Sequence, residues 1–326
     1  MRNFEYFRSD SVESALGMHT QPDTAYLAGG TTLLDLMKLD IMRPARVVDI
    51  HRLLLDQIEP LADGRVRVGA MVTNTALARD RHISTTYPVL SQALLSGAST
   101  QLRNKATTAG NVMQRVRCGY FRDGVSSCNK RTPGAGCAAI GGHNRNVHAV
   151  LGGSEHCIAA HPSDMCVAMA AIGAKVLVQG GNGTREIDFL DFHLLPGDTP
   201  WKEHALNGGE IITHITLDAP LRHGRSAYLK LRDRASYQFA LASCAAIVVV
   251  DGGTISDARI ALGGVATRPW RALAAEAALK GQQPSADTFA RAASMAFEGA
   301  RSYGQNGFKI RLGQQAIVRN LTSLTG

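Results

Sequence analysis

The pattern of hydrophobic positions divides the chain into two parts that change character near residue 219. In the first part, short apolar runs that are typical of strands alternate with helix-forming segments. Predicted strands cover residues 4–7, 25–28, 46–50, 65–68, 175–178 and 211–217, and predicted helices cover residues 11–17, 33–39, 75–81, 89–95 and 164–172. In the second part, strands at residues 228–232, 245–250 and 258–262 precede helices at residues 272–279, 286–300 and 314–321. Strands followed by helices indicate a separate α+β domain, so we predict a boundary at Ala219-Pro220.

Length and composition are typical of a soluble protein with more than one domain. The chain has 326 residues, 45% hydrophobic residues and a mean hydropathy of −0.06. No run of 18 or more apolar residues is present, so no membrane-spanning helix is expected. The segment from Met1 to Tyr6 lacks the apolar stretch of a secretion signal, and the chain is expected to carry no such signal of its own.

The chain is basic, with a formal net charge of +8 and an isoelectric point near 9.4. Such a charge favours an anionic partner. The basic residues are spread along the sequence and aromatic residues make up only 6%, which argues against a nucleic-acid-binding surface. A phosphate-bearing cofactor or an acidic protein partner fits this charge distribution better.

Two loops of small residues are candidate anion sites. The first, Gly29-Gly30-Thr31-Thr32, joins a predicted strand to a predicted helix. Glycine lets the backbone approach a ligand closely, and the first N–H groups of a helix lack internal partners and favour negative charge. The alternative is a tight turn without a ligand, since neither common nucleotide fingerprint is present. The second loop, residues 107–111, reads Thr-Thr-Ala-Gly-Asn, and its backbone N–H groups could embrace the other side of a pyrophosphate.

Four of the six cysteines lie in one basic, glycine-dotted segment with few helix- or strand-forming runs: Cys118, Cys128, Cys137 and Cys157. So long a loop in a compact protein is usually functional or disordered. The spacing of the cysteines matches neither zinc ribbons nor ferredoxins, but ligation by thiolates alone would suit an iron–sulfur cluster or zinc. Nearby histidines are alternative ligands, although loop histidines are more often solvated: His143, His148 and His156.

Three further residues have a structural interpretation of their own. Cys166 and Cys244 lie in apolar surroundings that are typical of a protein core. Asp164 follows Ser163 at the start of a predicted helix, where a carboxylate is favoured by the helix dipole. The alternative for Asp164 is a contact with the ribose or flavin of a cofactor.

Taken together, the motifs resemble the FAD-binding subunits of the xanthine dehydrogenase family. The resemblance rests on Ala28-Gly29-Gly30-Thr31-Thr32-Leu33-Leu34, on Thr107-Thr108-Ala109-Gly110-Asn111, on Ser163-Asp164 and on residues 228–232 and 261–266. It covers nearly the whole chain. Other members have His-Ser after the two glycines, where this chain has Thr31-Thr32, which also offers donors. The cysteine segment narrows the resemblance to the flavin subunit of a bacterial three-subunit molybdenum aldehyde oxidoreductase, because most flavin subunits of the family lack this loop.

The resemblance implies an α+β fold of two domains. Residues 1–218 would form a two-lobed FAD-binding domain of the vanillyl-alcohol-oxidase (PCMH) type, with lobes of about residues 1–55 and 56–218. A [4Fe–4S] loop would occupy residues 115–160 of the second lobe. Residues 219–326 would form the smaller C-terminal domain that is known from the CO dehydrogenase flavoprotein.

The resemblance also implies the residues that bind two cofactors. FAD would be bound by Tyr26, Leu27, Ala28, Gly29, Gly30, Thr31, Thr32, Leu33, Thr108, Ala109, Gly110, Asn111, Asp164 and Lys230. The two loops would hold the pyrophosphate, whereas Asp164 and Lys230 would contact the ribityl or isoalloxazine end. A [4Fe–4S] cluster would be bound by Cys118, Cys128, Cys137 and Cys157 and would serve as a relay, an electron store or a structural element. No catalytic acid or base is expected, because the cofactors carry the redox chemistry.

The implied function is electron transfer within a heterotrimer. A large partner with a molybdenum cofactor would oxidise aldehydes to carboxylic acids, and a small partner would carry two [2Fe–2S] clusters. This chain would pass electrons from those clusters through FAD to an external acceptor. One alternative is the flavin subunit of a related enzyme such as an aromatic acyl-CoA reductase. Another is a zinc-stapled binding protein with a basic surface. The expected location is the cytoplasm, or the periplasm by co-export with a partner that bears a twin-arginine signal.

Overall fold

The first lobe of the computed structural model, which describes residues 1–19, 21 and 23–326, is built on three parallel strands. Its elements are β1 (Glu5–Arg8), α1 (Val12–Met18), β2 (Thr24–Leu27), α2 (Leu33–Lys38) and β3 (Arg46–Asp49). The strand order is β1-β3-β2, so β3 is central. Val48 of β3 is fully buried and packs with Ala15 of α1. This small apolar core fixes the strand β2 that leads into the first small-residue loop.

The second lobe is a five-stranded antiparallel sheet with helices on it. Its strands are β4 (Ile58–Pro60), β5 (Val66–Gly69), β6 (Lys175–Gly180), β7 (Gly183–Asp188) and β8 (Ile211–Leu217), in the order β4-β5-β8-β6-β7. Its helices are α3 (Asn74–Arg79), α4 (Arg81–Thr86), α5 (Pro88–Ser96), α6 (Thr100–Arg103), α7 (Thr108–Val112), α8 (Gly119–Arg122), α9 (Asp164–Ile172) and α10 (Phe189–Phe192). The cysteine loop lies between α7 and α9 and contains the short helix α8.

Helix α9 forms the centre of the largest core cluster. All nine of its residues are buried, which agrees with a sequence that is apolar on every side after its first residue. It begins at Ser163, whose side chain accepts a hydrogen bond from the backbone N–H of Cys166, and it ends at Gly173, which has a φ of +90°. The carboxylate of Asp164 is therefore held at a rigid, buried helix end.

The C-terminal domain packs helices on an antiparallel sheet. Its strands are β9 (Arg225–Leu231), β10 (Ala242–Asp251), β11 (Thr254–Gly263) and β12 (Trp270–Arg271), in the order β12-β11-β10-β9. Its helices are α11 (Leu273–Leu279), α12 (Ala286–Met295) and α13 (Phe308–Thr325). Ile317 and Leu321 of α13 are fully buried in the core of this domain. Within the described residues, no helix combines the length and the apolar character that a bilayer crossing requires.

Several element boundaries differ from the prediction. The helix predicted over residues 75–81 is split, because Asp80 ends α3 and caps α4 by accepting the N–H of Ile83 at 2.9 Å. Strand β7 was not predicted, since its mostly exposed residues lack an apolar face. The helix predicted over residues 286–300 ends at Met295, and the one predicted over residues 314–321 is part of the 18-residue α13. Gly313 obscures the start of α13 in the sequence, but it allows the ring of Phe297 to pack directly on the helix backbone.

Candidate functional site

A cavity of about 600 Å³ is lined by residues of both lobes and of the C-terminal sheet. This volume is typical of a cofactor pocket. Six of the residues that the sequence predicts for FAD line it together: Thr31, Thr32, Gly110, Asn111, Asp164 and Lys230. The other eight are not among the lining residues: Tyr26, Leu27, Ala28, Gly29, Gly30, Leu33, Thr108 and Ala109. The structure therefore brings the two small-residue loops and both charged residues to one cavity.

The first small-residue loop has a row of free backbone donors. None of the N–H groups of residues 29–33 donates a hydrogen bond within the part of the chain that the structure describes. Gly30 has a φ of +74°, a conformation that favours glycine. Gly29 lies close to the backbone just before the second loop, and a Cβ on Gly29 would lie 2.0 Å from the carbonyl oxygen of Lys105. Consecutive unpaired N–H groups at a helix start form a site for an anion such as a pyrophosphate.

The residues just before this loop support it from behind. The hydroxyl of Tyr26 donates a hydrogen bond to the carbonyl oxygen of Gly209 at 3.0 Å, and burial raises the pKa of Tyr26. Tyr26 and Ala28 also pack against the apolar core of the first lobe. These contacts position the backbone of the loop.

The second small-residue loop differs from the prediction, because its backbone N–H groups are used inside the protein. The N–H of Thr108 donates to the carbonyl oxygen of Val72 at 2.8 Å, and that of Ala109 donates to the carbonyl oxygen of Ala70 at 3.0 Å. The N–H of Gly110 donates to the side-chain oxygen of Thr107, and the N–H of Asn111 donates to the carbonyl oxygen of Thr107. The expectation that these N–H groups face a ligand is wrong.

What this loop offers to the cavity is the side chain of Asn111. Its amide oxygen accepts hydrogen bonds from the hydroxyl of Ser163, at 2.8 Å, and from the side chain of Gln114. The amide nitrogen of Asn111 has no acceptor among the described residues. It therefore remains available as a donor to a ligand in the cavity.

Three arginines at the cavity each carry a buried guanidinium nitrogen without a partner, namely Nε of Arg103, Nε of Arg117 and Nη1 of Arg122. Asp35 on α2 pairs with two of them, at 3.5 Å from Arg117 and 2.8 Å from Arg122. Five basic side chains and two acidic ones line the cavity. Buried donors without acceptors are costly, and an anionic cofactor would satisfy them. The sequence did not identify these arginines, because no motif marks them.

Asp164 and Lys230 form a buried ion pair in the wall of the cavity. The Nζ of Lys230 lies 2.7 Å from a carboxylate oxygen of Asp164, and the two side chains are 3% and 7% exposed. The hydroxyl of Tyr228 donates to the other oxygen of that carboxylate at 2.6 Å. Burial, with the nearby carboxylate of Asp164, raises the pKa of Tyr228 well above its usual range. Lys230 also donates to the carbonyl oxygen of Ser96 at 3.1 Å, so the pair joins the start of α9 to β9 and to the end of α5.

The four loop cysteines converge on one small pocket beside this cavity. All four line it, three of them are buried, and none is in a disulfide: Cys118, Cys128, Cys137 and Cys157. Cys128 and Cys137 face each other in an isolated antiparallel bridge. Asn129 closes the turn between them, since its N–H donates to the carbonyl of Gly136 and its side chain accepts the N–H of Gly136. Residues that are far apart in sequence thus form one set of thiols.

Backbone donors already point at two of these sulfur atoms. Burial raises the pKa of the Cys118 thiol to about 11, whereas hydrogen bonds from the N–H groups of Phe121 and Tyr120 oppose that rise. Burial also raises the pKa of Cys157, against the charge of Lys130 and the N–H of Ala159. Buried thiols with N–H donors are prepared for deprotonation by a metal.

The histidines of the cysteine loop divide into two kinds. His143 and His156 are exposed, as expected for loop histidines. His148 is buried, and its Nε2 lies 3.4 Å from the Sγ of Cys118. The expectation of a solvated side chain is therefore wrong for His148. Burial lowers its pKa to about 4.

A separate buried group of His161, Cys166 and His193 has ligand atoms within 4.8 Å of one another. Nε2 of His193 lies 3.1 Å from the carbonyl oxygen of Val112 and must carry a proton. Nδ1 of His161 accepts the N–H of Ser163 at 3.4 Å, so its Nε2 also carries a proton and cannot bind a metal ion. Burial lowers the pKa of His193 to about 4 and that of His161 well below its usual value. This group is part of the core, as predicted for Cys166.

Comparisons with known families cover almost the whole chain. Residues 2–220 match the family described as the FAD binding domain in molybdopterin dehydrogenase, and residues 226–322 match the CO dehydrogenase flavoprotein C-terminal domain. The carbon monoxide dehydrogenase structure from Hydrogenophaga pseudoflava superimposes with a TM-score of 0.78 at 26% identity, covering 99% of this chain and 97% of that chain. The quinoline 2-oxidoreductase structure from Pseudomonas putida 86 gives a TM-score of 0.76 at 25% identity, with coverage of 99% and 97%. The predicted α+β fold is confirmed.

Proteins with assigned functions are similar to this chain over most of its length. The aldehyde oxidoreductase FAD-binding subunit PaoB of Escherichia coli (strain K12) is 49% identical over 321 residues, which is 98% of this chain and 97% of that protein. The glyceraldehyde dehydrogenase medium chain of Sulfolobus acidocaldarius is 26% identical over 87% of this chain and 83% of that protein. The chain belongs to the FAD-binding medium subunits of the xanthine dehydrogenase family of molybdenum enzymes.

Proposed function

We propose that this chain is the FAD-carrying, electron-transferring subunit of a molybdenum-dependent aldehyde oxidoreductase. One observation carries the proposal: a cavity of cofactor size combines the free N–H groups of the first loop with three arginines whose buried nitrogens lack acceptors. This donor set fits a dinucleotide that carries a pyrophosphate. The 49% identity to an aldehyde oxidoreductase subunit supports the substrate class.

Within the cavity, each part of the chain has a separate task. Residues 29–33 and Asn111 would hold the pyrophosphate, and Arg117 and Arg122 would neutralise its charge. The ion pair of Asp164 and Lys230 would orient the ribityl or isoalloxazine end. When bound, FAD accepts electrons one or two at a time and so links single-electron donors to an external acceptor. The protein contributes binding and positioning, so we assign no catalytic acid or base.

We further propose that Cys118, Cys128, Cys137 and Cys157 bind a [4Fe–4S] cluster. This ligand set is supported by four thiols that line one pocket and form no disulfide. Two of the four also accept hydrogen bonds from backbone N–H groups. Ligation by thiolates alone suits an iron–sulfur cluster.

The partners in this proposal are a large molybdenum-cofactor subunit and a small subunit with two [2Fe–2S] clusters. The similarities that support these partners are to an aldehyde oxidoreductase FAD-binding subunit, matched over 98% of this chain, and to a solved carbon monoxide dehydrogenase chain, matched over 99% of this chain. The compartment would follow from the partners. A twin-arginine signal on one of them would carry the folded assembly to the periplasm, and otherwise it would stay in the cytoplasm.

The proposal is tested by isolating the tagged chain gently from its own cells. We expect about one FAD and four irons per chain, two co-purifying partners that contain molybdenum and further iron, and aldehyde-dependent reduction of an artificial acceptor. Reduction of an aromatic acyl-CoA without aldehyde oxidation would favour the related reductase. Zinc in a colourless chain without flavin would favour the binding protein and refute the proposal.

A further inference from the structure

The side chain of His148 packs directly against one of the four loop cysteines. Its Nε2 lies 3.4 Å from the Sγ of Cys118, within hydrogen-bond distance for sulfur. The residue is only 4% exposed, although it belongs to an irregular loop. A buried polar ring in this position needs a partner, and the sulfur atom is the partner of Nε2.

The tautomer of His148 is set by its other nitrogen. Nδ1 accepts a hydrogen bond from the backbone N–H of Arg145 at 3.2 Å. A nitrogen that accepts a hydrogen bond has no proton, so in the neutral ring the proton must be on Nε2. The group that points at Cys118 is therefore an N–H donor.

The backbone of His148 is held on two sides, which keeps the ring in place. It forms an isolated bridge with Ala159, two residues after Cys157. Its carbonyl oxygen accepts a hydrogen bond from the Nζ of Lys309 at 3.0 Å, and Lys309 also donates to the carbonyl oxygens of Asn146 and Gly264. The cysteine loop is thereby tied to α13 and to the end of β11 at the position of this histidine.

We propose that His148 is a positioning residue that donates a hydrogen bond from Nε2 to the thiolate of Cys118 and raises the reduction potential of the cluster held there. This inference rests on the proposed [4Fe–4S] cluster. Reduction adds negative charge to a cluster, and an N–H directed at a ligand sulfur stabilises that charge. The same tautomer argues against His148 as a ligand, since a ligating Nε2 cannot keep its proton.

The test compares three variants of the full-length chain, purified without oxygen and loaded with its cofactors. His148→Leu removes the donor, His148→Gln keeps an N–H donor on a side chain of similar reach, and His143→Leu changes an exposed histidine of the same loop. Iron, sulfide and FAD per chain are measured first. The midpoint potential of the cluster is then followed by electron paramagnetic resonance during a redox titration, with the FAD potential as an internal reference.

We expect His148→Leu to retain iron and FAD and to shift the cluster potential to a more negative value, with the FAD potential unchanged. His148→Gln should restore most of the shift, and His143→Leu should match the unmodified chain. An unchanged cluster potential in His148→Leu at full iron content would overturn the inference and leave the cluster in place. Loss of iron from both His148 variants would overturn it in favour of ligation by His148. Absence of iron from the unmodified chain would instead refute the proposed cluster itself.

Discussion

Replacing Gly29 with Ala should weaken FAD binding by forcing two segments of the cavity wall apart. Gly29 carries the first of the free N–H groups of the first loop, and it lies against Lys105 and Ala106, which lead into the second loop. Gly29 is not among the residues with a positive φ, so alanine adds no conformational strain there. The added methyl group acts only through its contacts.

The size of the effect follows from those contacts. A Cβ on residue 29 would lie 2.0 Å from the carbonyl oxygen of Lys105 and 2.8 Å from its carbonyl carbon, whereas ordinary contacts begin at 3.4 Å. Both atoms belong to the backbone, so no side chain can rotate away. Overpacking of this kind costs about 1–3 kcal/mol. The binding of FAD then has to bring the two segments of the cavity wall back together. The Kd for FAD should therefore rise by about 5- to 150-fold.

The assay is a titration of the FAD-depleted chain with FAD, followed by the quenching of flavin fluorescence. Gly181→Ala is the matched control, because a Cβ there meets no atom within 4 Å and the residue is exposed in the turn between β6 and β7. Circular dichroism confirms that each variant is folded. A Kd for Gly29→Ala within twofold of that of the control would show that this contact does not shape the FAD site.

Three further changes test other parts of the molecule. Cys157→Ala should lower the iron content toward zero and reduce bound FAD, and unchanged iron on chemical analysis would contradict the role of Cys157 as a ligand. Lys230→Met leaves the 7%-exposed carboxylate of Asp164 without its cation. The free energy of unfolding, measured in urea, should therefore fall by about 3–5 kcal/mol. A loss below about 1 kcal/mol would mean that the ion pair is effectively solvated. Acidification from pH 6.5 toward pH 4 should destabilise the chain, because the unfolded chain protonates His193 at its ordinary pKa of 6.5 and the folded chain only near 4. His193→Gln should show a shallower loss of stability over that range, and an equally steep loss would exclude His193 as a source of it.

The sequence predicts which backbone N–H groups are free where their partners are local, but not where the partners are brought in by the fold. A strand followed by two glycines and a helix predicts free N–H groups, because the first N–H groups of a helix have no partner within the helix. The similar loop at residues 107–111 did not behave in this way. The N–H groups of Thr108 and Ala109 donate to the carbonyl oxygens of Val72 and Ala70, more than thirty residues away along the chain. Only the folded sheet could reveal those acceptors.

The charged and sulfur-bearing residues show the same limit. Arg103, Arg117 and Arg122 resemble any other basic residues in the sequence, and they become donors to a cavity only when the lobes pack. The cysteine spacing matches neither zinc ribbons nor ferredoxins. The pocket forms because an isolated bridge pairs Cys128 with Cys137 and the folded chain returns to them at Cys157. Long-range packing, rather than spacing, defines both sites.

One short segment forms a wall of both proposed cofactor sites. This segment is residues 117–122. Arg117 and Arg122 line the FAD cavity, whereas Cys118 and Phe121 line the cysteine pocket. Asp35 lies on α2, the helix that follows the first loop. It pairs with both arginines and so connects that loop to the segment. Helix α8 within the segment has no side-chain cap, and so short a helix depends on its surroundings for its shape. A cluster that fixes Cys118 would therefore also fix the two arginines, and by linkage the gain in FAD affinity from the cluster equals the gain in cluster affinity from FAD.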